Sequence, residues 1–122
     1  MKPFPNAQMV NAGGVRLAVR EAGAGPAVLL LHGWPELAYS WKNQIGALEQ
    51  AGYRAIAPDL KGFGLSDAPA DPAFYDCARM ADDFARLLDA LGVEKAIVCG
   101  HDWGGALAWP MAQLHPGRVA GV

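Results

Sequence analysis

The segment Gly100-His101-Asp102-Trp103-Gly104 sets a carboxylate midway between two glycines, and Gly105 and Ala106 extend the run of small residues. The spacing is that of G-x-S-x-G, a sharp turn from strand to helix that lifts its central side chain clear of a sheet. Small neighbours are needed because bulky ones would strike the adjoining strand and helix. Aspartate at the centre changes the chemistry. Serine in that place serves acyl transfer, whereas a carboxylate displaces a leaving group at saturated carbon and leaves an alkyl ester on the protein. A helix of roughly ten residues starting near Gly104 would turn its positive end toward Asp102 and favour the ionised form. The plain alternative is an ordinary helix N-cap, a role in which Asp is common. Specificity comes from the company Asp102 keeps: a buried strand before it, Gly-Gly after it, and His32-Gly33-Trp34-Pro35 after an earlier buried strand.

The elements that must position these loops follow from apolar patterning. Val15 to Arg20 alternates apolar and polar residues, as in a strand with one solvated face, and Gly13-Gly14 suits a hairpin turn from Gln8-Met9-Val10. Ala27 to Leu31 and Lys95 to Cys99 are unbroken runs, expected of parallel strands covered on both faces, and Tyr53 to Ala57 is a weaker third. Between them, Trp41, Ile45 and Leu48 share one helical face, with Ser40 as candidate N-cap and Gly52 as stop. A second helix carries Met80, Phe84, Leu87, Leu88 and Leu91 on one stripe, with Asp76 as cap and Gly92 at C′. Pro110 in the helix after Asp102 removes a backbone donor and is expected to kink or shorten it. Alternating strands and helices predict right-handed crossovers and a parallel sheet, in which ligands bind beyond the carboxyl ends of the strands. Those ends carry His32 to Pro35, Asp59 to Gly64, and Gly100 to Gly105.

The 122 residues allow one domain, and 52% hydrophobic content argues against disorder. With 10 Lys and Arg scattered among 12 Asp and Glu, for a net charge of −2, no basic stripe exists for nucleic acid. Cys77 and Cys99 form no C-x-x-C pair and are expected to be reduced thiols. No signal-like or membrane-spanning stretch is present, so a cytoplasmic location without membrane contact is expected. Oligomeric state is not legible.

With both loops in view, the chain resembles the α/β-hydrolase superfamily and, within it, the epoxide hydrolases. HGWPE matches their HGxP oxyanion segment and GHDWGG their nucleophile elbow. Further matches from Val15 onward are SWKNQI, GYRAIAPDLKGFGLSD in the place of an APDxRGxGxSD stretch, and HPGRV after the elbow helix. The resemblance implies a mostly parallel sheet with antiparallel first strands, and Asp102 as catalytic nucleophile. It also implies backbone N–H groups of Trp34 and Trp103 as an oxyanion hole, and a substrate pocket lined by Trp34, Pro35 and Trp103, with a cis Trp34-Pro35 bond shaping the turn. The rival reading makes both tryptophans core residues. Lys61 stands where the stretch usually carries arginine; it lacks the planar fork, which puts fixed hydrogen bonding by that side chain in doubt. His101 is poorly placed as a base, His32 and His115 read as structural, and Asp59 and Asp67 as turn-stabilising.

The implied reaction opens an epoxide to a vicinal diol through an Asp102 ester, with no metal or organic cofactor. The family's histidine base, its acidic partner and its lid tyrosines lie downstream of the elbow helix, and Tyr39, Tyr53 and Tyr75 precede it. Residues 1–122 are therefore expected to be the N-terminal portion of one core domain, and inactive alone. The alternatives are a haloalkane or haloacid dehalogenase with the same nucleophile, and a non-catalytic binding module that keeps the pocket.

Overall fold

The computed structural model describes residues 3–122. Its strands are β1 (Gln8–Asn11), β2 (Arg16–Ala22), β3 (Ala27–Leu31), β4 (Arg54–Pro58), β5 (Ala96–Gly100) and β6 (Val119–Gly121). Its α-helices are α1 (Lys42–Gln50), α2 (Cys77–Ala90) and α3 (Trp103–Leu114). One sheet has the order β1-β2-β4-β3-β5-β6. The pairs β1/β2 and β2/β4 are antiparallel, and β4, β3, β5 and β6 run parallel. The hairpin turn and the parallel strands β3, β4 and β5 lie where the patterning placed them. No helix among the described residues is long and apolar enough to cross a membrane.

The period-2 alternation of β3 divides its side chains between two cores. Leu29 and Leu31 join Leu17, Ile56, Phe84, Leu88, Val98 and Met111 in the cluster that α2 and α3 cover. Val28 and Leu30 join Ala55, Ala57 and Ile45 in the cluster that α1 covers. All five residues of β3 are buried. The expectation of two covered faces fails for β5: Ala96 and Val98 are buried, but Ile97 and Cys99 are exposed. The reason is that the α1 cluster is built on β3 and β4 and includes no residue of β5.

The second helix follows its sequence signals closely. The Asp76 side chain accepts the Arg79 N–H at 2.8 Å, and Gly92 takes φ +70° after the last turn. Two other expectations are corrected. Ser40 is not the cap of α1, because Ala38–Trp41 form a 3-10 turn and the cap position falls to Trp41, with no side-chain bond. Pro110 does not shorten α3, which runs on to Leu114. Its missing donor would have met the carbonyl of Ala106, and Ala106 is exposed, so the orphaned oxygen lies on the solvent side of the helix.

Lys61 is also corrected. It is 2% exposed, and its Nζ donates to Asp83 Oδ2 at 2.6 Å, with the Phe74 and Tyr75 rings within cation–π range. A single-point donor suffices where one carboxylate oxygen faces it.

Candidate active site

The register Leu31↔Gly100 brings the loops after β3 and β5 side by side. His101 N donates to Leu31 O at 3.1 Å, which starts the turn. Asp102 then takes φ +57°, ψ −118°, as the only non-glycine residue at positive φ among those described. It occupies the N-cap position of α3 without making a side-chain cap bond, which sets it apart from the ordinary cap. The glycines around it are required by contact. A Cβ on Gly104 would sit 1.9 Å from the carbonyl oxygen of Leu31, and one on Gly100 would sit 2.3 Å from that of Gly104. Both obstacles are backbone and cannot swing away.

The carboxylate lies against the other loop. Trp34 N donates to Asp102 Oδ2 at 3.0 Å. This N–H, then that of Trp103, with a smaller contribution from the His101 charge, hold the Asp102 carboxyl below its usual range against slight desolvation. Asp102 is thus an exposed, ionised carboxylate with two backbone donors aimed at it. The Trp34-Pro35 peptide is cis. Trp34 is 64% exposed and Trp103 54%, so neither is a core residue. A cavity of about 220 Å³ is lined by Asp102, Trp103 and Ala106. Trp34 and Pro35 are not among its lining residues.

One residue without an assigned role in the sequence reading organises the first loop. Glu36 Oε1 accepts the Gly33 N–H at 2.8 Å and lies 3.3 Å from His101 Nδ1, while Glu36 N donates to Gly33 O at 3.0 Å. The Gly33 N–H, the His101 contact and the Ser40 hydroxyl lower the Glu36 carboxyl from its usual range. Glu36 therefore closes the turn that carries the Trp34 N–H and ties it to the turn after β5. Its signal was a carboxylate three residues after Gly33, within bonding range of a turn's first N–H.

The histidines divide as their positions require. His32 is fully buried, with Nδ1 2.8 Å from Gly33 O and Nε2 accepting the Leu60 N–H at 2.9 Å. Since Nε2 accepts, Nδ1 carries the proton, and the ring pins the loop after β3 to the loop after β4. His115 follows the last turn of α3 and meets Asp82 at 2.8 Å. Asp59 accepts from Ala38 N and Leu65 N, and Asp67 from Arg16 N, so both tie loops together across the fold.

Burial lowers the His32 pKa from its usual 6.5, outweighing the Gly33 carbonyl and the nearby Asp59 and Glu36 charges. The folded chain then binds fewer protons than the unfolded one, so stability present above that value falls as pH drops through about 6.5. Thermal melts between pH 7 and 5 are expected to lose midpoint more steeply in the parent than in His32→Gln. Equal slopes would show that His32 carries no such linkage.

The model of the alpha/beta hydrolase fold family matches residues 26–122. The chain belongs to the alpha/beta hydrolase fold family. Epoxide hydrolase A of Mycobacterium tuberculosis (strain ATCC 25618 / H37Rv) is 48% identical over 120 residues, covering 97% of this chain and 37% of that protein. Epoxide hydrolase 3 of Siraitia grosvenorii is 46% identical over 110 residues, covering 90% and 35%. The crystal structure of epoxide hydrolase A from Mycobacterium thermoresistibile superposes with a TM-score of 0.90 at 49% identity, covering 96% of this chain and 38% of that one. An epoxide hydrolase from an endophytic Streptomyces gives 0.93 at 42%, covering 97% and 36%. This member of the alpha/beta hydrolase fold family thus spans little more than a third of the length of such relatives. Within that span its sheet is the family's mixed one, mostly parallel with antiparallel first strands.

Proposed function

We propose that this chain carries the nucleophile of an epoxide hydrolase, with Asp102 as the attacking group. The observation that supports the reading best is the Asp102 carboxylate itself, exposed on a strained turn and held ionised by the Trp34 and Trp103 N–H groups. A lone pair on Oδ1 attacks one epoxide carbon; the C–O bond breaks, and the ring oxygen leaves with a proton from an acid, giving a hydroxyalkyl ester. Oδ2, which already receives the Trp34 N–H, becomes the ester carbonyl oxygen. Water that has lost its proton to a base then adds to the Asp102 carbonyl carbon. Negative charge develops on Oδ2, where the Trp34 N–H stabilises it with that of Trp103 close by. Collapse then breaks the ester C–O bond, the base returns its proton to the leaving alkoxide oxygen to complete the vicinal diol, and the Asp102 carboxyl gives up its proton to the acid spent in ring opening. This sequence of steps routes nothing through a metal or organic cofactor, and the substrate is a small epoxide.

Single turnover of the whole protein in heavy-oxygen water tests the route, since hydrolysis through the ester places label in the Asp102 carboxyl, read by mass analysis of its peptide. Label found only in the diol would overturn it. The exposed Trp103 beside Asp102 is also compatible with halide departure from a haloalkane, and measuring diol formation against halide release separates the two chemistries.

The base is the second half of the proposal. His32 is committed to Leu60, His101 faces Glu36, and His115 lies at the far end of α3. The 122-residue chain treated with excess epoxide is expected to gain at most one equivalent of ester by intact mass, with no continuing diol release. Steady multiple turnover would show that a base lies within these residues.

A further inference from the structure

The β1–β2 hairpin turn, the first three turns of α2 and the loop bearing Lys61 border a cavity of about 420 Å³ that shares no lining residue with the one at Asp102. Its charged lining is Lys61, Arg79 and Arg86 against Asp82 and Asp83. A surplus of cations there contrasts with a chain whose net charge is −2.

The two carboxylates are already engaged. Asp82 Oδ1 lies 2.8 Å from His115 Nε2, and Asp83 Oδ2 accepts from Lys61 at 2.6 Å; the other Asp83 oxygen is only within 4.0 Å of Arg86. The guanidinium of Arg79 has an aromatic neighbour, stacking 4.9 Å from the Phe74 ring centre. Arg79 and Arg86 are seven residues apart on α2, which puts them on one face about 10 Å apart along the axis, near enough for long side chains to converge.

Each arginine makes a packing contact near its base or its plane. The Arg79 guanidinium lies over the Phe74 ring, and the stem of Arg86 lies across Gly13, where an added Cβ would come within 2.2 Å of its Cδ. A planar fork held by packing loses little freedom on binding and presents paired N–H donors to paired oxygens. Behind them Lys61 and Asp83 form a buried ion pair at 2.6 Å, so the cationic excess of the lining rests on Arg79 and Arg86. Asp83 is taken up by Lys61 and Asp82 by His115, so neither carboxylate is closely paired with Arg79 or Arg86.

We infer that this cavity is a binding site for a small oxyanion, a phosphate, sulfate or carboxylate group gripped between Arg79 and Arg86. The group has the same chemistry whether free or carried on a metabolite.

The test is a titration of the 122-residue chain with inorganic phosphate, sulfate and acetate, each against sodium chloride of matched ionic strength. Backbone and arginine Nε–H signals are followed by NMR. Saturable shifts confined to the hairpin turn, the first turns of α2 and the two arginines are expected. Arg79→Ala and Arg86→Ala should each weaken binding at least about tenfold, since a charge-assisted pair is lost from each, and the double variant should abolish it. Arg86→Lys should retain part of the affinity. Both arginines are exposed, so unchanged thermal midpoints will show that the variants fold. Response to phosphate and sulfate but not acetate would assign a tetrahedral anion, and an equal response a carboxylate-sized one. Shifts that match the chloride control, that map elsewhere, or that survive the double substitution would overturn the site.

Discussion

Replacing Asp102 by asparagine is expected to abolish covalent capture of an epoxide while leaving the fold intact. The amide keeps the shape of the carboxylate and can still accept the Trp34 N–H through its carbonyl oxygen, but it has no anionic lone pair to displace the ring oxygen. Removal of a nucleophile from a coupled site costs on the order of 10³-fold or more, so ester formation should fall below detection by intact mass within the time that labels the parent completely. Asp102→Gly provides the complementary measurement. The native residue holds φ +57°, ψ −118°, a conformation that strains any side chain and suits glycine. The glycine variant should therefore melt higher than the parent while being equally inert. A variant that loses activity and gains stability separates the nucleophile from a structural cap, whose loss would lower the melting point. Retained capture in Asp102→Asn would remove Asp102 from the mechanism.

The same strain explains which parts of the site were legible in sequence. Glycine spacing reports backbone clearance directly: Gly100 and Gly104 are read correctly because their missing Cβ atoms face carbonyl oxygens. The hairpin, the buried strand Ala27–Leu31 and the capped stripe of α2 are similarly local, each fixed by residues within a few positions. What escaped depends on partners distant in the chain. Glu36 gains its place from the nearby Gly33, but its tie to the turn after β5 comes from His101, 65 residues away. Ser40 has the composition of a cap, yet a 3-10 turn takes the chain through it, and its hydroxyl contributes to the Glu36 carboxylate instead. The apolar run of β5 reads like that of β3, although α1 shields only the latter. Whether the second face of an apolar strand is covered depends on what packs there, and the run of β5 does not distinguish the two cases.

Lys61 shows the largest gap between residue type and environment, and it carries the largest expected effect on stability. Truncation by Lys61→Ala should cost about 3–5 kcal/mol, because it leaves the Asp83 carboxylate buried without its counter-charge. That is a large share of the roughly 5–15 kcal/mol by which domains are stable, so urea denaturation should show a greatly reduced midpoint. Asp83→Ala should be comparably costly, since it strands an ammonium that is 2% exposed between two aromatic rings. The double variant Lys61→Met/Asp83→Leu removes both charges and fills the space with apolar atoms, and is expected to return within about 1 kcal/mol of the parent, as replaced buried pairs commonly do. The coupling between the two single losses then measures the desolvated pair and not two separate contacts. The pH dependence of Lys61→Ala gives an independent sign. Burial already raises the Asp83 carboxyl in the parent, and removal of the ammonium takes away an opposing influence. A raised folded pKa means that stability is present at low pH and is lost as pH rises through it. Lys61→Ala should accordingly recover part of its deficit relative to the parent when acidified from neutrality toward the ordinary carboxylate range, while the double variant should show no such recovery. A cost below about 1 kcal/mol, in the range of exposed ion pairs, or a deficit that widens on acidification, would show that Asp83 is not held as a buried charge.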